Sequence, residues 1–120
     1  MRMWCVNPRI LCRKHLLGEH GELHRFRHNF VKKHSIHGRI FPIVLIEPDN
    51  MSVRHGALAR EMLRRGYNHQ SPYEQPDLSH LPDEERFAKA DVDYNIVDLF
   101  ERCADCRKNI QEMEKELLHD

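Results

Sequence analysis

At 120 residues the chain can close one hydrophobic core and not two. It holds no run of eighteen apolar residues, which excludes a membrane-spanning helix. Its 19 basic and 19 acidic side chains cancel, but residues 1–40 carry nine Lys or Arg against two acids while residues 41–120 carry ten against 17, so one face can attract a polyanion while the whole stays neutral.

The first helix is predicted from Pro8, with Asn7 as its cap, to about Lys33, ahead of the turn-like "SIHGR". Arg9, Arg13, Lys14 and His15 interrupt any apolar core at the start, so these residues do not read as a secretory signal. The expected setting is a reducing cytoplasm, with Cys5, Cys12, Cys103 and Cys106 as free thiols. Six of the ten histidines fall in this basic first third. Projected at about 100° per residue, His15, Glu19 and Glu22 share a narrow sector with Phe26, beside Cys12, Leu16, Leu23 and Phe30. The two carboxylates therefore border the apolar face, while Arg13 and His24 fall on the far, solvated side. A carboxylate there is either partly desolvated for proton transfer or paired with an arginine of a neighbouring helix. Gly18 and Gly21 each cost about 1 kcal/mol relative to Ala inside a helix. They share a stripe with Lys14 and Arg25, and its smoothness admits either a nucleic-acid strand or a second helix.

The run "IFPIVLIEP" reads as an extended piece that Pro42 and Pro48 keep out of a central sheet. The second helix is "NMSVRHGALAREMLRRG", with Asp49, Asn50 or Ser52 as cap, Gly66 as stop and His55 as a hydrogen-bonded histidine at the core margin. Residues 67–83, with Pro72, Pro76 and Pro82, form a loop. The third helix runs from about Asp91 toward Leu118 and buries Val92, Ile96, Leu99, Cys103, Cys106 and Ile110. The expected fold is all-α, a compact three-helix domain with irregular connecting loops, one domain over residues 1–120.

Two blocks, "RKHLLGEHGELHRF" and "ALAREMLRRGYNHQSP", together with Arg2, resemble the pyrimidine dimer DNA glycosylases of the phage endonuclease V type. The likeness reaches from residue 1 to about 110. The resemblance implies an all-α enzyme that excises pyrimidine dimers from double-stranded damaged DNA and then nicks the abasic site. It implies the α-amine of Met1 as nucleophile and Glu22 as the essential carboxylate. It further implies that Arg2, His15 and Arg25 line the lesion site and that Lys32 and Lys33 approach the DNA; Gly18 and Gly21 are candidate contacts from the smooth stripe alone, not from the resemblance. No metal or other cofactor, no membrane and no second subunit is called for. The chain departs from the phage enzyme at Gly21, where that enzyme has an arginine, at bulky Arg2, which should keep Met1 in place, and in the tail "QEMEKELLHD", which lacks aromatic residues.

An α-amine with a reference pKa of about 7.8 is roughly a third free base at about pH 7.5, whereas a lysine near ~10.4 is only about 0.1%. Such an amine forms an imine with a sugar carbon with little tuning. Three alternatives come from other chemistry. An abasic-site lyase or a glycosylase for another lesion would share these residues. A non-catalytic nucleic-acid-binding protein would leave Glu22 without a task, because a carboxylate repels phosphate. A zinc module is suggested by "RCADC", but one CxxC is half a zinc site and no second pair of matching spacing accompanies it.

Overall fold

Asn7 and Pro8 begin a helical turn as predicted. The Asn7 side chain accepts the Arg9 N–H at 3.0 Å, and a 3-10 turn covers Pro8–Ile10. In the computed structural model, which describes residues 2–119 and side chains as far as Leu117, the expected single helix then breaks. Leu11 and Cys12 are extended, and α1 (Arg13–Val31) starts afresh with Cys12 as its cap. Ile10, Leu11 and Cys12 are all buried. A continuous helix would splay three consecutive side chains about 100° apart, and the extended step lets all three reach the core.

The 3-10 turn Pro48–Asn50 leads into α2 (Met51–Arg64), which buries Met51, Leu58 and Met62 as the spacing predicts. Asn50 occupies the cap position without a side-chain capping bond. Gly66, at φ 84°, takes the left-handed conformation that closes the helix, and the Tyr67 N–H returns to the Met62 carbonyl at 2.9 Å. His55 departs from expectation. It is fully inside, and its Nε2 has no hydrogen-bond partner.

After the predicted loop comes the single turn α3 (Asp83–Arg86), and then the expected third helix, which is also broken. Asp91 caps α4 (Val92–Arg102), Cys103 is extended, and α5 (Ala104–His119) follows. The break lets α5 pack beside α4 and still reach the Pro8–Ile10 turn. Among the described residues there is no strand, and "IFPIVLIEP" is irregular.

One core joins these pieces. Leu16, Leu23, Phe26 and Phe30 from α1 meet Met51 and Leu58 from α2, Leu99 from α4 and Cys106 from α5. Met3 is buried among them, and its N–H bonds the Leu45 carbonyl at 2.8 Å. The first residues are therefore sewn into the interior rather than trailing from it. The Val6 carbonyl is held by Arg54 of α2, and the Trp4 carbonyl by the Asn95 side chain of α4.

Candidate active site

Glu19 and Glu22, neighbours in the sequence projection, part company in space. Glu19 is wholly buried and takes two hydrogen bonds from the Arg54 guanidinium, at 2.6 and 2.9 Å. It is the structural carboxylate, paired with an arginine of the adjacent helix. Glu22 lies one turn further on and is half-exposed, and its Oε2 accepts the backbone N–H of Arg2 at 2.8 Å. The peptide nitrogen that follows Met1 is thus in contact with this carboxylate. Met1 itself lies outside the described residues.

Arg2 is fixed from two sides. Its guanidinium lies 3.6 Å from the centre of the Trp4 ring and pairs with Asp98 of α4. Burial alone would raise the Asp98 pKa, but hydrogen bonds and charge from Arg2 and Arg102 outweigh it and hold the carboxyl below its usual value. Asp98 therefore stays anionic and anchors Arg2.

These groups face a cleft of about 890 Å³, lined by Arg2, Trp4, Lys14, His15, Gly18 and Glu22 on one side and by Leu99, Arg102 and Cys103 on the other. The cleft gathers four of the residues anticipated from the sequence, Arg2, His15, Gly18 and Glu22. Gly21, Arg25, Lys32 and Lys33 lie beyond it, along α1 and past its end. A methyl group built on Gly18 or Gly21 would meet nothing within 4 Å, so among the described residues no second helix packs on the glycine stripe. Lys14, Arg25, Lys32 and Lys33 are exposed and make no ion pair among the described residues. A cationic, unobstructed track thus runs from the cleft along α1.

A family model, pyrimidine dimer DNA glycosylase, matches residues 1–75. The chain belongs to the pyrimidine dimer DNA glycosylase family. No curated protein and no solved structure gives a significant match. The matched span holds α1, α2 and every anticipated site residue, and it stops short of residue 110, the limit the resemblance implies. Leu99, Arg102 and Cys103, which line the far side of the cleft, fall after it, as does Asp98, which holds Arg2, so this glycosylase builds one wall from a part of the chain that the family match does not include. A DNA repair glycosylase acts on damaged DNA, and the open basic track suits that substrate.

Sequence reasoning missed Trp4, Asp98 and a pairing of the cysteines. Trp4 is the only tryptophan and stands two residues from Arg2, which was a readable hint. Asp98 had no local signal. The cysteines of "RCADC" were read as filling the buried side of a long helix. Cys106 is buried and Cys103 packs against the core, but both also meet Cys12 and His15, with Cys12 Sγ 3.1 Å and Cys106 Sγ 3.5 Å from His15 Nδ1. The His15 ring is edge-on to Trp4 at 5.5 Å between centroids. Away from the cleft, His20 and His24 of α1 gather with His55 of α2, His69 and Tyr73, and His20 Nε2 lies 2.9 Å from His69 Nε2. His24 is therefore packed against other rings and not on a solvated face, since the loop after α2 folds over that side.

Proposed function

We propose that this glycosylase also acts as an abasic-site lyase on pyrimidine dimers in double-stranded DNA, working as a monomer, with the Met1 α-amine as nucleophile and Glu22 as its carboxylate. The observation that carries the reading is the 2.8 Å contact between the Arg2 N–H and Glu22 Oε2. It brings the start of the chain to a half-exposed acid at the mouth of a cleft large enough for a nucleotide. The first residues are held by Met3 in the core and by Arg2 on Asp98, so an attacking group there would be pre-positioned.

In this scheme the unprotonated amine adds to the sugar's anomeric carbon. The bond to the damaged base breaks, and the base leaves with its electron pair. Loss of a proton from nitrogen and opening of the sugar ring, with protonation of the ring oxygen, give an imine to C1′. Glu22, placed beside the reacting carbon in this scheme, stabilises the positive charge that develops on the sugar. It then takes a proton from C2′, and the 3′ phosphate departs by β-elimination. Water finally hydrolyses the imine and restores the amine. Arg25, Lys32 and Lys33 neutralise phosphates along the track, so binding weakens steeply with salt. The duplex is distorted to expose the target sugar, more cheaply at a damaged step.

Borohydride reduction of the complex with ultraviolet-irradiated or abasic duplex, followed by peptide mapping, tests the nucleophile. An adduct on the first residue is expected. An adduct on an interior lysine, or undiminished trapping by protein extended at its start, overturns the assignment. Glu22→Gln is expected to slow nicking by roughly 100-fold or more while lesion binding changes little. Nicking at the wild-type rate would remove Glu22 from the chemistry.

A further inference from the structure

Cys12, His15, Cys103 and Cys106 stand at two helix starts that face each other. Cys12-x-x-His15 opens α1 and Cys103-x-x-Cys106 opens α5, so two three-residue steps of the same form meet across the wall of the cleft. Their four ligand atoms all lie within 4.8 Å of one another. Zinc held at about 2.3 Å from sulfur and about 2.0–2.1 Å from nitrogen in a tetrahedron sets sulfurs about 3.8 Å apart and sulfur about 3.5 Å from nitrogen. The structure has Cys12 and Cys103 Sγ at 3.9 Å and His15 Nδ1 at 3.1 and 3.5 Å from the Cys12 and Cys106 sulfurs. We propose that these residues bind one Zn²⁺ as a closed Cys₃His site that clamps the start of α1 to the junction of α4 and α5.

Three further observations support the ion. Backbone N–H groups point at all three sulfurs: Cys12 N–H to Cys106 at 3.2 Å, His15 N–H to Cys12 at 3.4 Å and Cys106 N–H to Cys103 at 3.4 Å. Hydrogen bonds of this kind orient the sulfurs of a metal site from outside and complete their surroundings. Second, both places where the expected long helices break are these cysteines, although cysteine is not among the favoured helix caps. A metal supplies the reason for a sulfur at each break. Third, the four free cysteines form no disulfide, and three of the four gather at one point beside a histidine.

Four protein ligands leave no open position, so the ion is structural and takes no part in bond breaking. It assigns His15 to the metal and not to the lesion. Its consequence for the enzyme is positional: Cys12, His15 and Cys103 line the same cleft as Glu22, and Asp98, which anchors Arg2, sits on the helix that ends at Cys103. The zinc site does not depend on which atom attacks the sugar.

The test uses full-length, untagged, reduced protein from zinc-supplemented culture. Elemental mass spectrometry is expected to find one zinc per chain. Cobalt(II) added after metal removal should give the visible bands of a tetrahedral site together with sulfur-to-cobalt charge transfer in the near ultraviolet. Cys103→Ser and Cys106→Ser should each weaken or abolish both signals, and Cys5→Ser should leave them intact. Metal-free protein that stays folded and shows no charge-transfer band overturns the proposal. So does cobalt bound without sulfur ligation, which would point to the His20, His24 and His55 group instead. The wild-type titration decides the matter even if the serine variants fail to fold.

Discussion

Glu19 and Glu22 are three residues apart on α1 and meet different partners. Arg54, 35 residues along the chain, closes on Glu19 inside the core, while Glu22 receives an N–H from the chain's first residues. Removing one member of a buried pair leaves the other charge without compensation, at a cost of about 3–5 kcal/mol. Arg54→Met is therefore expected to lower the unfolding free energy by about that amount in urea. Glu22→Gln should lose no more than about 1 kcal/mol, because the amide oxygen can still accept the Arg2 N–H. Equal stability losses would mean that the two carboxylates are not divided between structure and chemistry. The angular projection put both acids at the edge of the core, and that much was legible in the sequence. It could not say which acid an arginine would claim, since the partner is set by how α2 packs on α1.

At the scale of elements, the helices that stop at sequence signals were the readable ones. Gly66 ends α2 because its backbone takes the left-handed form, and Asp91 starts α4 by accepting the Tyr94 N–H at 3.0 Å. The breaks at Cys12 and Cys103 carry no Pro or Gly and were invisible to periodicity, because they are set by contacts between distant segments. The signal available in the sequence is the matching three-residue step of Cys12-x-x-His15 and Cys103-x-x-Cys106, which cysteine spacing alone does not show because one partner is a histidine. The glycines of α1 could be recognised as unusual, and the structure now divides their possible uses. With open space beside Gly18 and Gly21, alanine at each should stabilise the helix by about 1 kcal/mol. Thermal unfolding is expected to rise in Gly18→Ala/Gly21→Ala while duplex affinity falls, because two methyl groups stand in the approach of the strand. A rise in stability with unchanged affinity would take the DNA off this stripe.

At the scale of the whole molecule, the split of charge along the chain was plain from composition, and its basic part supplies the track on α1. The packing of the histidines was not, since spacing places His20 and His24 one turn apart but cannot show that α2 and the following loop close over them. That closure has a consequence for stability against pH. Burial, then the neighbouring histidines, lowers the His20 and His55 pKa values from 6.5 to about 4, and burial lowers His24 as well, with His69 and Arg27 adding to it. Tyr73, stacked on His55 at 4.7 Å, is pushed up by burial and offers no negative charge to offset a proton. The folded protein therefore keeps these rings neutral through a range in which the unfolded chain binds protons. Stability should be level above about pH 6.5 and decline as pH falls from there toward about 4, where the folded rings also begin to protonate. Urea midpoints measured at intervals from pH 7.5 to 4.5 should fall with a slope equivalent to about two protons taken up on unfolding. His55→Phe keeps a ring against Tyr73 and removes one titrating group, so its profile should be shallower by about one proton. A variant as steep as the wild type would move the acid sensitivity away from this cluster.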